Sequence, residues 1–308
     1  MKDANAIVVN HLTKRFKDQV AVNDISFTVK KGEIFGLLGP NGSGKTTLLK
    51  MMTTILKPTS GNAQIFGEDV TKNNQKVREL FGLTGQYASI DEGLSARENL
   101  MIFARLNGLT RKQSKERTEA LLKEFSLTKS ANKKLSDFSG GMRRRLDLAV
   151  TLIARPPLIF LDEPTTGLDP RTRQQLWQTI RNLSDQGSTI FLTTQYLDEA
   201  DALADRVAVI DHGKMIKIGQ PAELEAQVAK EKLNLTFESE TIAKAAQDFL
   251  NKSNPTIKDN VLTVDLENPT QIQAIILALS EHDFKIKDMQ VTKPTLDDVF
   301  FALTKGTN

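Results

Sequence analysis

The stretch GPNGSGKTT (39–47) decides how the rest of the chain is read. It satisfies the pattern G-x-x-x-x-G-K-[ST] over 39–46, follows the apolar run IFGLL (34–38) and opens a run of helical character at 46–56. Gly39, Gly42 and Gly44 permit the backbone to curl, so that successive N–H groups converge on phosphate oxygens. Lys45 adds a point charge at β- and γ-phosphates, and Thr46 supplies a hydroxyl suited to Mg²⁺. Pro40, Asn41, Ser43 and Thr47 complete the loop. A glycine-rich turn is the plain alternative, and a strand before the loop with a helix after it argues against that.

A phosphate loop needs an acidic partner for its metal, and LIFLDE (158–163) provides one. Four apolar residues bring Asp162 to the end of a buried strand, where its carboxylate can hold Mg²⁺ directly or through water. Glu163 beside it can orient or deprotonate an attacking water. FSGGMRRRLDLA (138–149) sets Ser139, Gly140 and Gly141 at a helix start, with free N–H groups and the positive end of the dipole open to an anion. Taken alone, S-G-G is more often a turn. TTGLDP (165–170) is a tight acidic loop able to line the same site. LTTQYLDEAD (192–201) leaves a β-branched, aromatic strand at 188–192. Gln195 at its tip either caps the helix that begins near Leu197 or faces a ligand at the carboxyl edge of a sheet.

The 308 residues exceed the usual single core, so one large domain with a smaller appendage is expected. Basic and acidic residues nearly balance, 41 against 38, which argues against a nucleic-acid partner. The absence of cysteine excludes disulfides and thiolate metal sites. No secretory h-region follows the first residues, and no apolar run approaches the ~20 residues that span a bilayer, so any membrane work passes through a partner. Strand signals at 25–29, 34–38, 158–161, 189–192 and 207–210 alternate with helical segments, which implies an α/β sheet covered by helices. Residues 95–125 are charged and amphipathic and belong to a helical insertion at about 87–155. A charged helix over 221–232 ends the motif-bearing part. Beyond it LNLTFE (233–238), NVLTVDLE (260–267) and DFKIKDMQV (283–291) read as strands, alternating with helices at 241–250 and 269–279. The expected division is a domain at 5–229 and a small C-terminal α+β accessory or regulatory domain at 230–308.

With these residues assembled, the chain resembles the nucleotide-binding subunits of ATP-binding cassette (ABC) transporters over 5 to about 225. GPNGSGKT stands as Walker A, Gln86 in LTGQ as the Q-loop, FSGGM as the signature, LIFLDE as Walker B, TGLD as the D-loop and LTTQYLDEAD as the switch, in the family's order. The resemblance implies the P-loop ABC ATPase fold, with a mixed sheet core. It also implies that Phe16 stacks on adenine, although a lone phenylalanine is otherwise core packing. By the same likeness Gln86 touches Mg²⁺ or the attacking water, and Asp169, otherwise a helix N-cap, is an inter-subunit contact. ATP and Mg²⁺ are the implied ligands. The implied assembly is a head-to-tail homodimer with each ATP held between Lys45 of one chain and Ser139, Gly140 and Gly141 of the other. A separate integral-membrane permease completes it at the cytoplasmic face of the membrane.

A closer resemblance, to the daunorubicin/doxorubicin-resistance export ATPases, is carried by SGGMRRRLDLA, TTQYLDEAD, RVAVIDHGKMI (206–216) and PTLDDVFFALT (294–304). It implies an ATP-hydrolysing subunit that energises export of a drug-like or amphipathic compound. A regulatory nucleotide-binding module, or a soluble ABC ATPase without transport, is the alternative. The terminal 294–304 carries no derivable chemistry, and its apolar residues read as a packed helix. Phe138 and Met142 depart from the commonest signature, which has leucine and glutamine there. Gln195 replaces the usual switch histidine. An amide can donate to the γ-phosphate but cannot carry charge, which leaves Glu163 as the catalytic carboxylate.

Overall fold

The computed structural model describes residues 5–85, 90–228, 231–250, 255–266, 268, 270–292, 295–296 and 298–299. Backbone contacts divide the chain into two compact units, 1–221 and 222–308. The first begins with the long strands β1 (Asn5–Phe16) and β2 (Gln19–Lys30), then β3 (Ile34–Leu38) and helix α1 (Lys45–Met52). β4 (Ser60–Ile65), β5 (Glu68–Asp69), α2 (Asn74–Arg78) and β6 (Phe81–Thr84) follow. Three helices, α3 (Ala96–Leu106), α4 (Arg111–Glu124) and α5 (Gly140–Thr151), precede β7 (Leu158–Asp162). The unit closes with α6 (Pro170–Asp185), β8 (Thr189–Thr194), α7 (Leu197–Leu203), β9 (Arg206–Asp211) and β10 (Lys214–Gly219).

Among the described residues these strands form two sheets, ordered β2-β1-β4-β5 and β10-β9-β3-β8-β7-β6. The first is antiparallel; the second is parallel except for β10. β3, β7 and β8 are buried along their whole length, as strands covered on both faces must be. Their side chains alternate between two cores. Phe35, Leu37, Phe160 and Phe191 enter the core shared with β1, β2 and α1, whereas Ile34, Ile159, Leu161 and Leu192 enter the core built with the helices. Phe27, Phe35, Phe191, Phe160 and Phe81 form one aromatic row, with successive centroids 5.4, 5.7, 5.6 and 5.3 Å apart. Parallel register therefore sets the carboxyl ends of β3, β8 and β7 side by side, Leu38 against Thr194 and Asp162 against Thr193. That edge is where an open α/β sheet receives ligands.

The P-loop α/β core with its helical insertion is thus as expected, with local differences. Helix α1 stops at Met52 rather than at 56: Thr54 turns left-handed at φ 62°, and the N–H groups of Thr54 and Ile55 fold back onto the carbonyls of Met51 and Lys50. The amphipathic stretch 95–125 divides into α3 and α4, each started by a capping box, Ser95 with Glu98 and Thr110 with Gln113.

The second unit takes up most of α8 (Pro221–Val228) and continues through β11 (Glu231–Thr236), α9 (Glu240–Phe249), β12 (Thr256–Lys258), β13 (Val261–Leu266), α10 (Thr270–Glu281) and β14 (Asp288–Thr292). Its strands pair antiparallel in the order β12-β13-β11-β14. Leu233, Leu235, Leu262 and Val264 pack one face of this sheet onto Ala243 and Ala246 of α9 and Ile275 and Leu279 of α10. The helix expected to reach 232 ends by Val228, because Glu231 and Lys232 already pair with Leu266 and Asp265. The strand expected over 283–291 starts at Asp288; Asp283 at φ 60° and the Phe284 N–H on the Leu279 carbonyl close α10 instead. Within 294–304 only four residues are described, and Leu296 and Val299 among them are buried. No described helix is long and apolar enough to cross a membrane.

Candidate functional site

Two glycines of the phosphate loop are fixed by close approach. A Cβ on Gly39 would lie 2.3 Å from the Ile210 carbonyl oxygen, and one on Gly44, at φ 107°, would lie 2.4 Å from that of Ala21. The loop is therefore pressed between β9 and the start of β2. Lys45, at the start of α1, donates to the carbonyls of Gly39 at 2.7 Å and Pro40 at 3.0 Å, and its Nζ lies 3.4 Å from Glu163 Oε1. It is only 4% exposed, and burial holds its pKa below the ordinary lysine range against the opposing pull of Glu163 and Asp162. A cation so desolvated needs anionic company, which Glu163 supplies within the chain.

Asp162 ends β7. Its Oδ1 accepts from the Thr193 hydroxyl at 2.6 Å, and its Oδ2 is 3.5 Å from the Thr46 hydroxyl. Glu163 then turns left-handed at φ 46°, which for a residue with a side chain costs about 1–3 kcal/mol. Its N–H is held by both the carbonyl and the hydroxyl of Thr193, each at 3.1 Å. The turn swings the carboxylate toward Lys45 instead of continuing the strand. Thr46 and Asp162 are hard oxygen donors on adjoining elements, and no group of three His, Cys, Asp or Glu able to hold a metal occurs among the described residues. That suits Mg²⁺, which takes one or two protein oxygens and fills its shell from phosphate and water. Gln86, the other residue expected at the metal, lies outside the described residues.

The signature does begin a helix. Ser139 caps α5 by accepting from the Met142 N–H at 3.3 Å, and Ser139 and Gly140 are exposed. Gly141 is buried against α6, where a Cβ would fall 2.2 Å from Thr172 Cγ2. Phe138 is buried in the helical core with Met142 packed beside it. Asp169 caps α6, accepting from the N–H and hydroxyl of Thr172 at 3.0 and 2.6 Å, and is itself exposed. Phe16 is 45% exposed at the end of β1, with Lys14 Nζ 5.1 Å from its ring centroid, so it is not core packing. The N-cap of α7 is Tyr196, whose N–H goes to the Thr194 hydroxyl at 2.9 Å. Gln195 is thus not the cap, and its side-chain amide makes no hydrogen bond among the described residues.

Lys45, Thr46, Asp162 and Glu163 are therefore brought together at the sheet edge. Ser139, Gly140, Asp169 and Phe16 are presented outward, and none of them bonds that cluster among the described residues. Thr193 carries no sequence signal of its own; its place opposite Asp162 follows only from strand register. Arg144, from the RRR run of α5, donates to the Asp162 carbonyl at 3.1 Å, and no local pattern marked it.

Comparison with known proteins agrees with this arrangement. The ABC transporter family profile matches residues 22–166, and that of the DrrA1-3-like C-terminal domain of ATP-binding proteins matches 219–304. The daunorubicin/doxorubicin resistance ATP-binding protein DrrA of Streptomyces peucetius is 41% identical over 97% of this chain and 92% of its own. The doxorubicin resistance ATP-binding protein DrrA of Mycobacterium tuberculosis is 39% identical over 98% of this chain and 94% of its own. Among solved structures, the dimeric post-hydrolysis state of an ATP-binding cassette bound to ADP and Pi superposes with a TM-score of 0.63 at 25% identity, over 70% of this chain and 98% of that one. A likeness this close, running nearly end to end, makes the chain a member of the ABC transporter family, an ATPase subunit of the daunorubicin/doxorubicin-resistance export type.

Proposed function

We propose that the protein hydrolyses Mg²⁺-bound ATP as a head-to-tail homodimer and thereby drives a separate integral-membrane permease to export a drug-like or amphipathic compound. The observation that carries this reading is the buried Lys45 ammonium, set between the loop carbonyls and Glu163, beside the Thr46–Asp162 pair. Arriving phosphate takes the loop N–H groups and the Lys45 charge, which releases Glu163 from its internal partner. The freed carboxylate accepts the proton of a water in line with the γ-phosphate. Thr46, Asp162 and Gln86 would hold Mg²⁺, which would supply charge neutralisation to the phosphate oxygens. The Gln195 amide, without a hydrogen bond among the described residues, donates to the γ-phosphate, and the exposed Phe16 ring takes the adenine.

Ser139, Gly140 and Gly141 meet the γ-phosphate of the partner's nucleotide, with Asp169 at the same junction. One two-fold axis then completes two sites, and because ATP touches both chains it favours closure. The permease docks at a cleft of about 510 Å³ between β6, α3 and α5, lined by Phe81, Gly85, Ile90, Phe103 and Asn107. That assignment puts the protein at the cytoplasmic face of the membrane, with the second unit, 222–308, as an accessory domain. The test is light scattering of Glu163→Gln, in which hydrolysis is blocked. Saturating ATP with Mg²⁺ is expected to convert monomer to dimer, and adding Ser139→Arg to abolish the dimer with single-chain nucleotide affinity retained. A monomer at saturating ATP overturns the head-to-tail site.

A further inference from the structure

One side chain of the helical insertion reaches the backbone on either side of Glu163. Arg144 leaves α5 and sets its guanidinium among three backbone carbonyls of other elements. Nη1 donates to Gly85 at 2.7 Å, Nε to Pro164 at 2.8 Å and Nη2 to Asp162 at 3.1 Å. The Asp162 and Pro164 carbonyls belong to the residues on either side of Glu163. Gly85 follows β6 and immediately precedes Gln86.

Glu163 is the place where such a clamp matters. A side-chain-bearing residue at φ 46° persists only where its surroundings over-determine it. Thr193 fixes its N–H, and Arg144 fixes the residues before and after it. A planar guanidinium offers five donors in set directions, whereas an ammonium on a flexible stem cannot hold three divergent acceptors in one geometry. Arg144 makes no hydrogen bond to the phosphate loop among the described residues.

We propose that Arg144 is a positioning residue for hydrolysis: it holds the strained turn that aims the Glu163 carboxylate and ties that turn to Gly85 at the root of the Gln86 segment. The inference rests on the ATP-hydrolysing reading above. Loss of the clamp lets Glu163 relax while the phosphate loop stays intact, so turnover suffers and nucleotide binding does not. Displacement of a reacting group by about 1 Å costs on the order of 100-fold in rate.

Arg117 is the control, because it too donates to two carbonyls, of Leu152 and Ile153, but within the helical layer. Steady-state phosphate release, melting temperature and the affinity of a fluorescent ADP analogue are measured on the full chain for wild type, Arg144→Lys, Arg144→Gln and Arg117→Lys. Arg144→Lys is expected to lower kcat about 100-fold with KM and ADP affinity within about twofold. Arg144→Gln, which keeps one planar NH₂, is expected to fall between it and wild type and stands in if the lysine variant does not fold. Arg117→Lys loses stability but keeps kcat. Wild-type kcat in Arg144→Lys, a parallel rise in KM, or an equal kcat loss in Arg117→Lys overturns the positioning role alone. Absence of turnover in the wild type overturns the hydrolytic reading and this inference with it.

Discussion

Around Lys45 the charged groups are buried and partnered within the chain, whereas Ser139, Gly140, Asp169 and Phe16 stand at the surface, the first and third engaged, among the described residues, only in capping their own helices. The contrast follows from desolvation. A lysine and two carboxylates cannot be buried unpaired without severe cost, so that half must be complete on one chain, with Glu163 supplying the negative charge beside Lys45 that the proposed reading later assigns to phosphate. Helix ends at the surface incur no such cost and can wait for a ligand brought by a second chain. Motifs of equal weight in the family thus have unequal physical status: one half is assembled by folding, the other, in the proposed dimer, by association.

The largest expected effect separates the halves directly. Lys45→Ala removes the cation that the proposed function sets against the phosphates, and truncating one partner of a desolvated charge pair costs about 2–5 kcal/mol, on the order of 30-fold or more in ATP affinity. Ser139→Arg, on the outward half, should leave the affinity of a single chain within about twofold. Titration of both variants with a fluorescent ATP analogue decides this, and comparable losses would erase the distinction. A smaller effect comes from the signature glycines, which differ from one another. Gly141→Ala drives a methyl into Thr172, an overpacking that costs about 1–3 kcal/mol. The nearest atom to a Cβ on Gly140 is 3.9 Å away, so Gly140→Ala should be close to neutral when the melting temperatures of the two variants are compared. Adding Thr172→Ser to Gly141→Ala removes the clashing Cγ2 and should restore part of the melting temperature. If it does not, the Gly141 requirement is not set by packing on α6.

Much of the inward half was legible in the sequence because it rests on short-range patterns: an apolar run, a glycine loop, a lysine, and an acid at a strand end. β4, β6 and β10 were not legible, since SGNAQI and KMIKIG bury few positions and FGLT is only four residues long. Thr193 and Arg144 depend on which strands and helices meet, which no local window contains. In the second unit, alternation located β11 and β13, but it overran at 283–287. Phe284 and Ile286 do pack on the core there, as the exit of α10 rather than as a paired strand. Apolar period signals burial, and only a ladder makes a strand.

Asp169 belongs to both halves of the comparison and offers the finest test of it. Its cap on α6 is made within the chain, while its exposure leaves it free for a partner. Hydrogen bonds from Thr172 hold its pKa below the ordinary aspartate range. The folded pKa is thus the lower one, so the contribution is present above the unfolded pKa and fades as pH falls through the folded value. Asp169→Ala should lower the melting temperature of the single chain at neutral pH, as loss of an N-cap does. Asp169→Asn keeps a capping oxygen, so its single-chain melting temperature should match wild type at neutral pH and lack the acid-side decline due to this group. Any weakening of the ATP-dependent dimer in Asp169→Asn then reports the inter-subunit contact alone. If the asparagine variant dimerises as wild type does, Asp169 is a cap and nothing more.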